Sequence, residues 1–257
     1  MTELELEAAK VLTMADLGAL VERSGVGTEP KVVAARLRDR GWLLPTGIPG
    51  VWEFAPAAHA GPIGHGDPYL PLRATLARRP GLNAAVCLTS ALRAHGLADR
   101  APERLEIAVP LGATVPAGLT RRARVVPFEA NLSTQSFGGM PVHVPATILV
   151  HLAARPGDVR GWTTIADILA DLVVTAEQAD IDFELDGRPR SVRVRLAYLT
   201  QGVAPDLAER LVPAEAGGRT APKIWFGPRG PLKRHNTRFS VADTVLPFDP
   251  SDLRPQP

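Results

Sequence analysis

The sequence predicts an α+β protein in which a small helical domain precedes a larger mixed α/β domain. Three observations indicate this. Helical patterns with start and stop signals fill the first 40 residues, two short aromatic runs flank a Gly/Pro turn at residues 45–50, and apolar helices alternate with strand-like runs after residue 69. At 257 residues the chain is long enough for two domains.

Composition and charge narrow the classes of function. The formal net charge is only +2, with a pI of about 9.0, so any attraction to nucleic acid must come from local patches. The single cysteine, Cys87, allows no intramolecular disulfide. The chain begins with an acidic segment, MTELELEAAK, and contains no apolar run of the about 20 residues that span a bilayer. We therefore expect a cytoplasmic protein that does not enter a membrane.

The N-terminal segment predicts three helices. Residues 3–12 carry apolar side chains at helical spacing, which indicates an opening helix. Thr13 starts the second helix, with Asp16 at the position of a capping-box carboxylate. The third helix runs from Thr28 to Arg40, with Pro30 in its first turn. A short glycine-containing turn joins the last two helices, as in a helix-turn-helix.

The third helix carries a basic face. At about 100° per residue, Val33 and Leu37 point towards the core and Arg36 and Arg40 lie at its flank. The opposite face is formed by Lys31, Ala35 and Arg38. Many solvated helices have such a face, but it also suits the DNA major groove, where Lys and Arg reach bases and phosphates.

Residues 41–44 and 51–54 flank the turn and predict a β-hairpin. Helices followed by a hairpin predict a winged helix-turn-helix DNA-binding domain over residues 1–57. The hairpin tip has no Lys or Arg, so phosphate contact there would depend on backbone N–H groups and Thr46. The predicted DNA-binding residues are Thr28, Lys31, Ala35, Arg36, Arg38, Arg40 and Thr46.

Residues 58–68 are rich in Pro, Gly and Ala and predict a linker to the second domain, residues 69–257. His59, His65 and Asp67 suggest a metal site, but a glycine-rich loop does not hold ligands in place. We predict neither a metal nor another cofactor.

The second domain predicts a small sheet covered by helices. Strand-like runs occupy residues 105–109, 123–128, 134–137 and 141–144. Helical patterns occupy residues 70–79, 89–97, 146–154, 161–174, 191–198 and 204–211. Residues 180–190 form a polar segment between two of these helices.

No combination of residues in this domain completes a catalytic site. The histidines at positions 95, 143 and 151 suit structural roles. His95 lies just before the glycine that ends its helix, and no Ser or Cys nucleophile is tied by spacing to His143 or His151. A metal-dependent nuclease would need carboxylates, and the candidates are Glu103, Glu106, Asp167 and Asp171. Asp167 and Asp171 fit a solvated helix face equally well. We therefore predict that the protein is not an enzyme.

Two further strand-like runs, residues 223–227 and 238–241, flank a loop at 228–236. This loop carries a second basic patch, formed by Arg229, Lys233 and Arg234. It is either a solvated hairpin loop or a site for nucleic acid or an acidic partner.

Several short motifs together resemble the AbiEi family of bacterial antitoxins. They are Ser90-Ala91-Leu92 followed by His95-Gly96-Leu97, the LTMADL start, the RGWL and GVW hairpin strands, and a Gly-Gly hairpin at 137–144 running into 145–150. The resemblance covers about residues 10–215.

This resemblance implies a DNA-binding antitoxin that represses its own operon and counteracts a nucleotidyltransferase-like toxin in a type IV system. The implied partners are double-stranded operator DNA and this toxin. The family's DNA contacts would fall on Lys31, Arg36, Arg38 and Arg40, while the uncharged hairpin tip departs from its basic wings. The alternative is a transcriptional regulator with a ligand-sensing second domain and no toxin partner.

Overall fold

The computed structural model describes residues 11–25, 27–55, 67–213 and 222–254. It confirms the predicted α+β class. The chain forms two compact units, one comprising residues 1–84 and 107–127 and the other residues 85–106 and 128–257. The domain limits expected at residues 57 and 69 stay predictions. Among the described residues, no helix is long and apolar enough to cross a membrane.

The described part of the first unit begins with a strand, two helices and a hairpin. These are β1 (Val11–Thr13), α1 (Met14–Ser24), α2 (Pro30–Asp39), β2 (Leu43–Pro45) and β3 (Val51–Phe54). Strand β3 lies between β1 and β2 and is antiparallel to both.

Residues 3–10 of the predicted opening helix lie outside the described part. At residues 11 and 12, which are described, the helix prediction is wrong. Val11 and Leu12 belong to β1, because Leu12 is buried between two half-exposed neighbours and pairs with Trp52 of β3. Alternating burial of this kind is the pattern of a strand.

Local capping signals explain the two helices that follow. Asp16 N donates to Thr13 Oγ1 at 3.2 Å and Thr13 N donates to Asp16 Oδ2 at 2.7 Å, which confirms the capping box. Pro30 occupies the first turn of α2, and Gly41 follows its end with a positive φ of 75°. The apolar core beneath these elements contains Leu12, Leu17, Ala34, Leu37, Leu43 and Phe54.

Further elements of the first unit pack beside the hairpin. Helix α3 (Leu70–Arg78) contacts β1 and β3, and its Ala74 is buried with Ile48 and Val51. Helix α5 (Ala117–Arg122), which the sequence patterns did not predict, contacts α3. Strand β6 (Ala123–Pro127) neighbours β5 (Leu105–Val109), of which residues 107–109 belong to this unit.

The second unit is mainly helical. Before its terminal sheet, its described part contains the strands β4 (Ala85–Val86), β7 (Gln135–Phe137) and β8 (Met140–Val142), and β8 pairs in parallel with β4 and antiparallel with β7. Its helices are α4 (Leu88–Ala94), α6 (Pro145–Ala154), α7 (Trp162–Thr175), α8 (Gln178–Glu184), α9 (Arg190–Thr200) and α10 (Pro205–Leu211). Helix α6 is almost entirely buried and contacts α4, α7, α8 and α9.

Helix α8 was not predicted, because residues 180–190 look polar. Its Ile181 is nevertheless buried, as is Glu184, whose carboxylate is satisfied inside the unit. Helix α9 confirms the helical interpretation of residues 191–198.

A small sheet ends the chain. Strand β11 (Val241–Asp243) lies between β9 (Ile224–Phe226) and β10 (Arg234–Asn236), parallel to β9 and antiparallel to β10. The strand expected at 238–241 is wrong: Asn236 Oδ1 accepts from Phe239 N at 3.0 Å, and Ser240 has a φ of 52°. This turn uses residues 237–240, so the strand starts at Val241.

Candidate nucleic-acid interface

The outward side of α2 is the surface on which we predicted DNA contact. Ala34 and Leu37 are its buried residues, and Val33 is only half-buried, although we had expected Val33 to pair with Leu37. At about 100° per residue, the outermost ridge therefore includes Val32 and Asp39. Val32 is 41% exposed, which places it on the solvent side of the helix.

Four cationic side chains flank this ridge. Lys31 and Arg38 lie on one flank and Arg36 and Arg40 on the other, and all four are exposed. Arg36 had been expected near the core but lies in solvent. Within the described part of the chain, none of the four has an ion-pair partner. Their charges therefore remain available to a ligand. Ala35 of this helix is half-buried, as is Thr28, which precedes the helix.

Thr46 does not have the role that we predicted for it. Its side chain is buried, with 1% exposure, and Thr46 Oγ1 donates to the Val51 carbonyl at 2.8 Å and accepts from Ile48 N at 3.2 Å. The hydroxyl thus closes the hairpin turn from inside. The predicted contact between the Thr46 side chain and a phosphate is therefore wrong.

Arginines from elsewhere in the first unit surround the hairpin tip. A Cβ placed on Gly47 would lie 3.3 Å from Arg122 Nε, so this guanidinium lies directly against the tip. Arg78 and Arg79 at the end of α3, together with Arg121 of α5, line a cleft of about 590 Å³ with Gly47 and its neighbours. Sequence reasoning missed these residues because they are distant from the hairpin in the chain. The only signal was the basic run LTRRAR at residues 119–124.

The second basic patch is smaller than predicted. Arg234 donates to Asp243 Oδ2 at 3.4 Å and to the Leu246 carbonyl at 3.0 Å, and it lies on β10 rather than in a loop. Asp243 is buried and also accepts from the Tyr198 hydroxyl at 3.1 Å. Arg234 therefore has a structural role. Arg229 and Lys233 remain exposed, and Lys233 Nζ donates to the Val245 carbonyl at 2.9 Å.

Burial raises the pKa of Tyr198 well above its usual range, and the Asp243 charge adds to this effect. The Tyr198 phenol is therefore neutral and serves as a hydrogen-bond donor to the buried carboxylate.

The interior of the second unit contains a buried polar network. Glu184 accepts from Asn131 N at 3.0 Å, from Leu132 N at 2.9 Å and from Thr147 Oγ1 at 3.1 Å, and it forms an ion pair with Arg188. The Arg188 guanidinium lies 4.7 Å from the centre of the Phe128 ring. These contacts fix the segment after β6 onto α8.

Two of the three predicted structural histidines lie beside this network. His143 and His151 are buried, and the Phe128 ring stacks on His151 with 3.9 Å between ring centres. Burial lowers the pKa of His143 to about 4, and the charge of Arg188 contributes to this shift. His95 Nε2 bonds to the carbonyl of His143 at 2.8 Å, so it links α4 to the end of β8.

The carboxylates considered for a nuclease do not form one site. Glu106 is buried and Glu106 Oε2 accepts from Thr89 N at 2.9 Å, while Glu106 N donates to Ser90 Oγ at 2.9 Å. These bonds hold the start of α4, and they explain the Ser-Ala-Leu motif. Glu103, Asp167 and Asp171 are exposed. In the described part of the chain, no three His, Cys, Asp or Glu side chains are grouped as metal ligands.

The metal site suggested by the linker cannot be compared in full, since His59 and His65 lie outside the described residues. Its third member, Asp67, accepts from Arg73 Nε at 3.2 Å and from Tyr69 N at 2.9 Å. These bonds hold the start of α3.

Comparison with known proteins gives a match to a family model and matches to solved structures. Residues 84–201 match the family model of the AbiEi antitoxin C-terminal domain. The chain is also similar to the crystal structure of the RV2827C protein from Mycobacterium tuberculosis, with a TM-score of 0.77 and 27% identity, over 95% of this chain and 90% of that chain. No curated protein matches the chain significantly. The match at residues 84–201 confirms the resemblance to the AbiEi antitoxins that the sequence motifs indicated.

Proposed function

We propose that the protein is a DNA-binding antitoxin that represses its own operon and counteracts a co-encoded nucleotidyltransferase-like toxin. The match of residues 84–201 to the AbiEi antitoxin C-terminal domain supports the antitoxin role. The DNA-binding role depends on one structural observation: α2 exposes four cationic side chains that have no ion-pair partner in the described part of the chain.

The element order supports a winged helix-turn-helix at the N-terminal end. In this proposal α1 and α2 form the helix-turn-helix and β2 and β3 form the wing. Helix α2 has 10 residues and is therefore about 15 Å long, which suits insertion into the major groove. Lys31, Arg36, Arg38 and Arg40 would contact bases and phosphates from its two flanks.

Binding to the DNA upstream of its own gene tests the repressor role. At physiological salt we expect an affinity on the order of 10³-fold or more above that for random DNA of the same length. Arg38→Ala should weaken binding, whereas Arg160→Ala, which removes an exposed arginine of the second unit, should not. Equal affinity of the unaltered protein for both DNA molecules would contradict the proposal.

Growth rescue tests the antitoxin role. Expression of the adjacent gene product alone should arrest growth, and co-expression with this protein should restore it. Rescue by Arg38→Ala, despite its weakened DNA binding, would assign neutralisation to a surface other than α2. A protein that binds its own upstream DNA but never rescues growth would instead be a regulator without a toxin partner.

A further inference from the structure

We infer that α3 and α5 supply the positive charge that the hairpin tip lacks, and that Arg78, Arg121 and Arg122 bind the sugar–phosphate backbone of DNA beside the hairpin. The inference rests on the proposed DNA-binding function. It assigns phosphate contacts to residues outside the predicted helix-turn-helix and hairpin.

The arginines converge on the tip from two directions. Arg78 lines two clefts, one of about 590 Å³ shared with α5 and one of about 410 Å³ shared with the start of α1. Pro49 at the hairpin tip lines both clefts as well. Arg121 lines the larger cleft, and Arg122 lies against Gly47. The hairpin tip is therefore bordered by guanidinium groups.

Close packing fixes the helices that carry these arginines. A Cβ on Gly118 would lie 2.8 Å from Ile48 Cδ1 and 2.9 Å from the Gly47 carbonyl carbon, so α5 touches the tip through its backbone. Ile48 is buried against Ala74 of α3. Both arginine-bearing helices are thus held against the hairpin, which keeps the base of each arginine side chain near the tip and lowers the cost of ordering it on a phosphate.

The charges are not neutralised within the described residues. All four nearby arginines, Arg78, Arg79, Arg121 and Arg122, are exposed and form no ion pair there. Arg79 Nη1 donates to the Thr114 carbonyl at 2.8 Å and Arg121 Nε donates to the Ala117 carbonyl at 3.3 Å. A carbonyl partner removes no charge, and each guanidinium keeps further N–H donors for a phosphate.

The position of the cluster favours the backbone of DNA over another acidic ligand. The hairpin follows α2 directly, because β2 begins at Leu43 and α2 ends at Asp39. A duplex with α2 in its groove would therefore run past the hairpin tip, where its flanking phosphates meet the arginines. An acidic protein surface would also be attracted, and the test separates the two.

Salt-dependent binding of the full-length protein tests the inference. The duplex is the DNA upstream of its own gene, with random DNA of equal length beside it. The test variant is Arg121→Gln/Arg122→Gln, and the matched control is Arg100→Gln/Arg160→Gln, which removes the same charge from exposed sites of the second unit. Each lost phosphate contact reduces the slope of log K against log salt by about 0.9. When the salt concentration rises fourfold, a variant that lacks one contact therefore loses about 3.5-fold less affinity than the unaltered protein.

We expect the salt slope of the test variant to fall on both duplexes by the amount that corresponds to about two lost phosphate contacts. Its preference for its own DNA should be unchanged. The control should retain the slope of the unaltered protein. Arg121→Lys/Arg122→Lys should retain most of it, because lysine preserves the charge. If the double Gln variant unfolds, Arg78→Gln provides the same test with one contact.

Phosphate ethylation gives a second readout. Ethyl groups on the phosphates beside the hairpin should hinder binding of the unaltered protein but not of the Gln variant. An unchanged slope and ethylation pattern in the Gln variant, alongside selective binding by the unaltered protein, would overturn the inference and leave the proposed function standing. Such a result would assign the cluster to another partner. If the unaltered protein shows no selective binding, the proposed function itself fails.

Discussion

Replacing Gly118 by alanine tests the contact that holds α5 against the hairpin tip. The added Cβ would lie 2.8 Å from Ile48 Cδ1, 2.9 Å from the Gly47 carbonyl carbon and closer still to the Gly47 oxygen. Carbon atoms pack at about 3.5–4.0 Å, so α5 and the tip must separate by roughly 1 Å. Two of these neighbours are backbone atoms and cannot move aside as a flexible side chain can.

Overpacking of this kind lowers the free energy of unfolding by about 1–3 kcal/mol. Gly81→Ala is the matched control, because Gly81 has no atom within 4 Å of an added Cβ and no positive φ. This control should raise the free energy of unfolding by up to about 1 kcal/mol, because alanine reduces the conformational entropy of the unfolded chain. Urea unfolding measures both values.

Displacement of α5 should also weaken DNA binding without removing any charge. We expect the salt slope of Gly118→Ala to fall towards that of the Arg121/Arg122 variant, while Gly81→Ala keeps the slope of the unaltered protein. If Gly118→Ala is as stable as Gly81→Ala and binds DNA with an unchanged slope, the contact at Gly118 does not hold α5 against the hairpin tip.

Three other substitutions test the interior and the turn. Glu184→Ala leaves the charge of Arg188 without its buried partner and should lower the free energy of unfolding by about 3–5 kcal/mol in urea unfolding; a loss below about 1 kcal/mol would contradict the network. The pKa of His143 is about 4 in the folded protein, against 6.5 for an ordinary histidine, so protonation favours unfolding. The contribution of neutral His143 to the free energy of unfolding should be complete above pH 6.5 and be lost as the pH falls towards about 4, by up to about 3 kcal/mol. His143→Leu should remove this part of the pH dependence of urea unfolding. A variant with the same pH profile as the unaltered protein would contradict this prediction. Thr46→Val should lower the free energy of unfolding by about 1–3 kcal/mol, because it removes the hydrogen bond to the Val51 carbonyl, and should leave the salt slope of DNA binding unchanged. A reduced slope would indicate that Thr46 contacts a phosphate after all.

Local signals made α1 and α2 predictable. Their boundaries depend on residues close in sequence, namely the Thr13 and Asp16 capping box, Pro30 in the first turn and Gly41 after the end. Such signals act over one helical turn and need no tertiary structure. The apolar pattern likewise revealed α6, most of whose residues are buried.

Pairing between distant segments explains the errors. Val11–Thr13 is a strand because β3 pairs with it, and nothing local distinguishes three residues from a helix end. Arg234 looked free in the sequence but pairs with Asp243, because the turn closed by Asn236 places β10 opposite β11. Register between strands is a tertiary property, so a charge pattern alone does not show which charges are neutralised.

For the same reason, the sequence did not show that arginines lie at the hairpin tip. Their placement assigns base contacts and phosphate contacts to different parts of the proposed DNA interface. Contacts from α2 can distinguish bases, because Arg38 and its neighbours lie on the helix expected in the groove. Contacts from Arg121 and Arg122 would reach only phosphates, which carry no sequence information. Substitutions in α2 should therefore lower both the affinity and the preference for the protein's own DNA. Substitutions at α5 should lower the affinity for every duplex equally, so that the ratio of the two affinities separates the two surfaces.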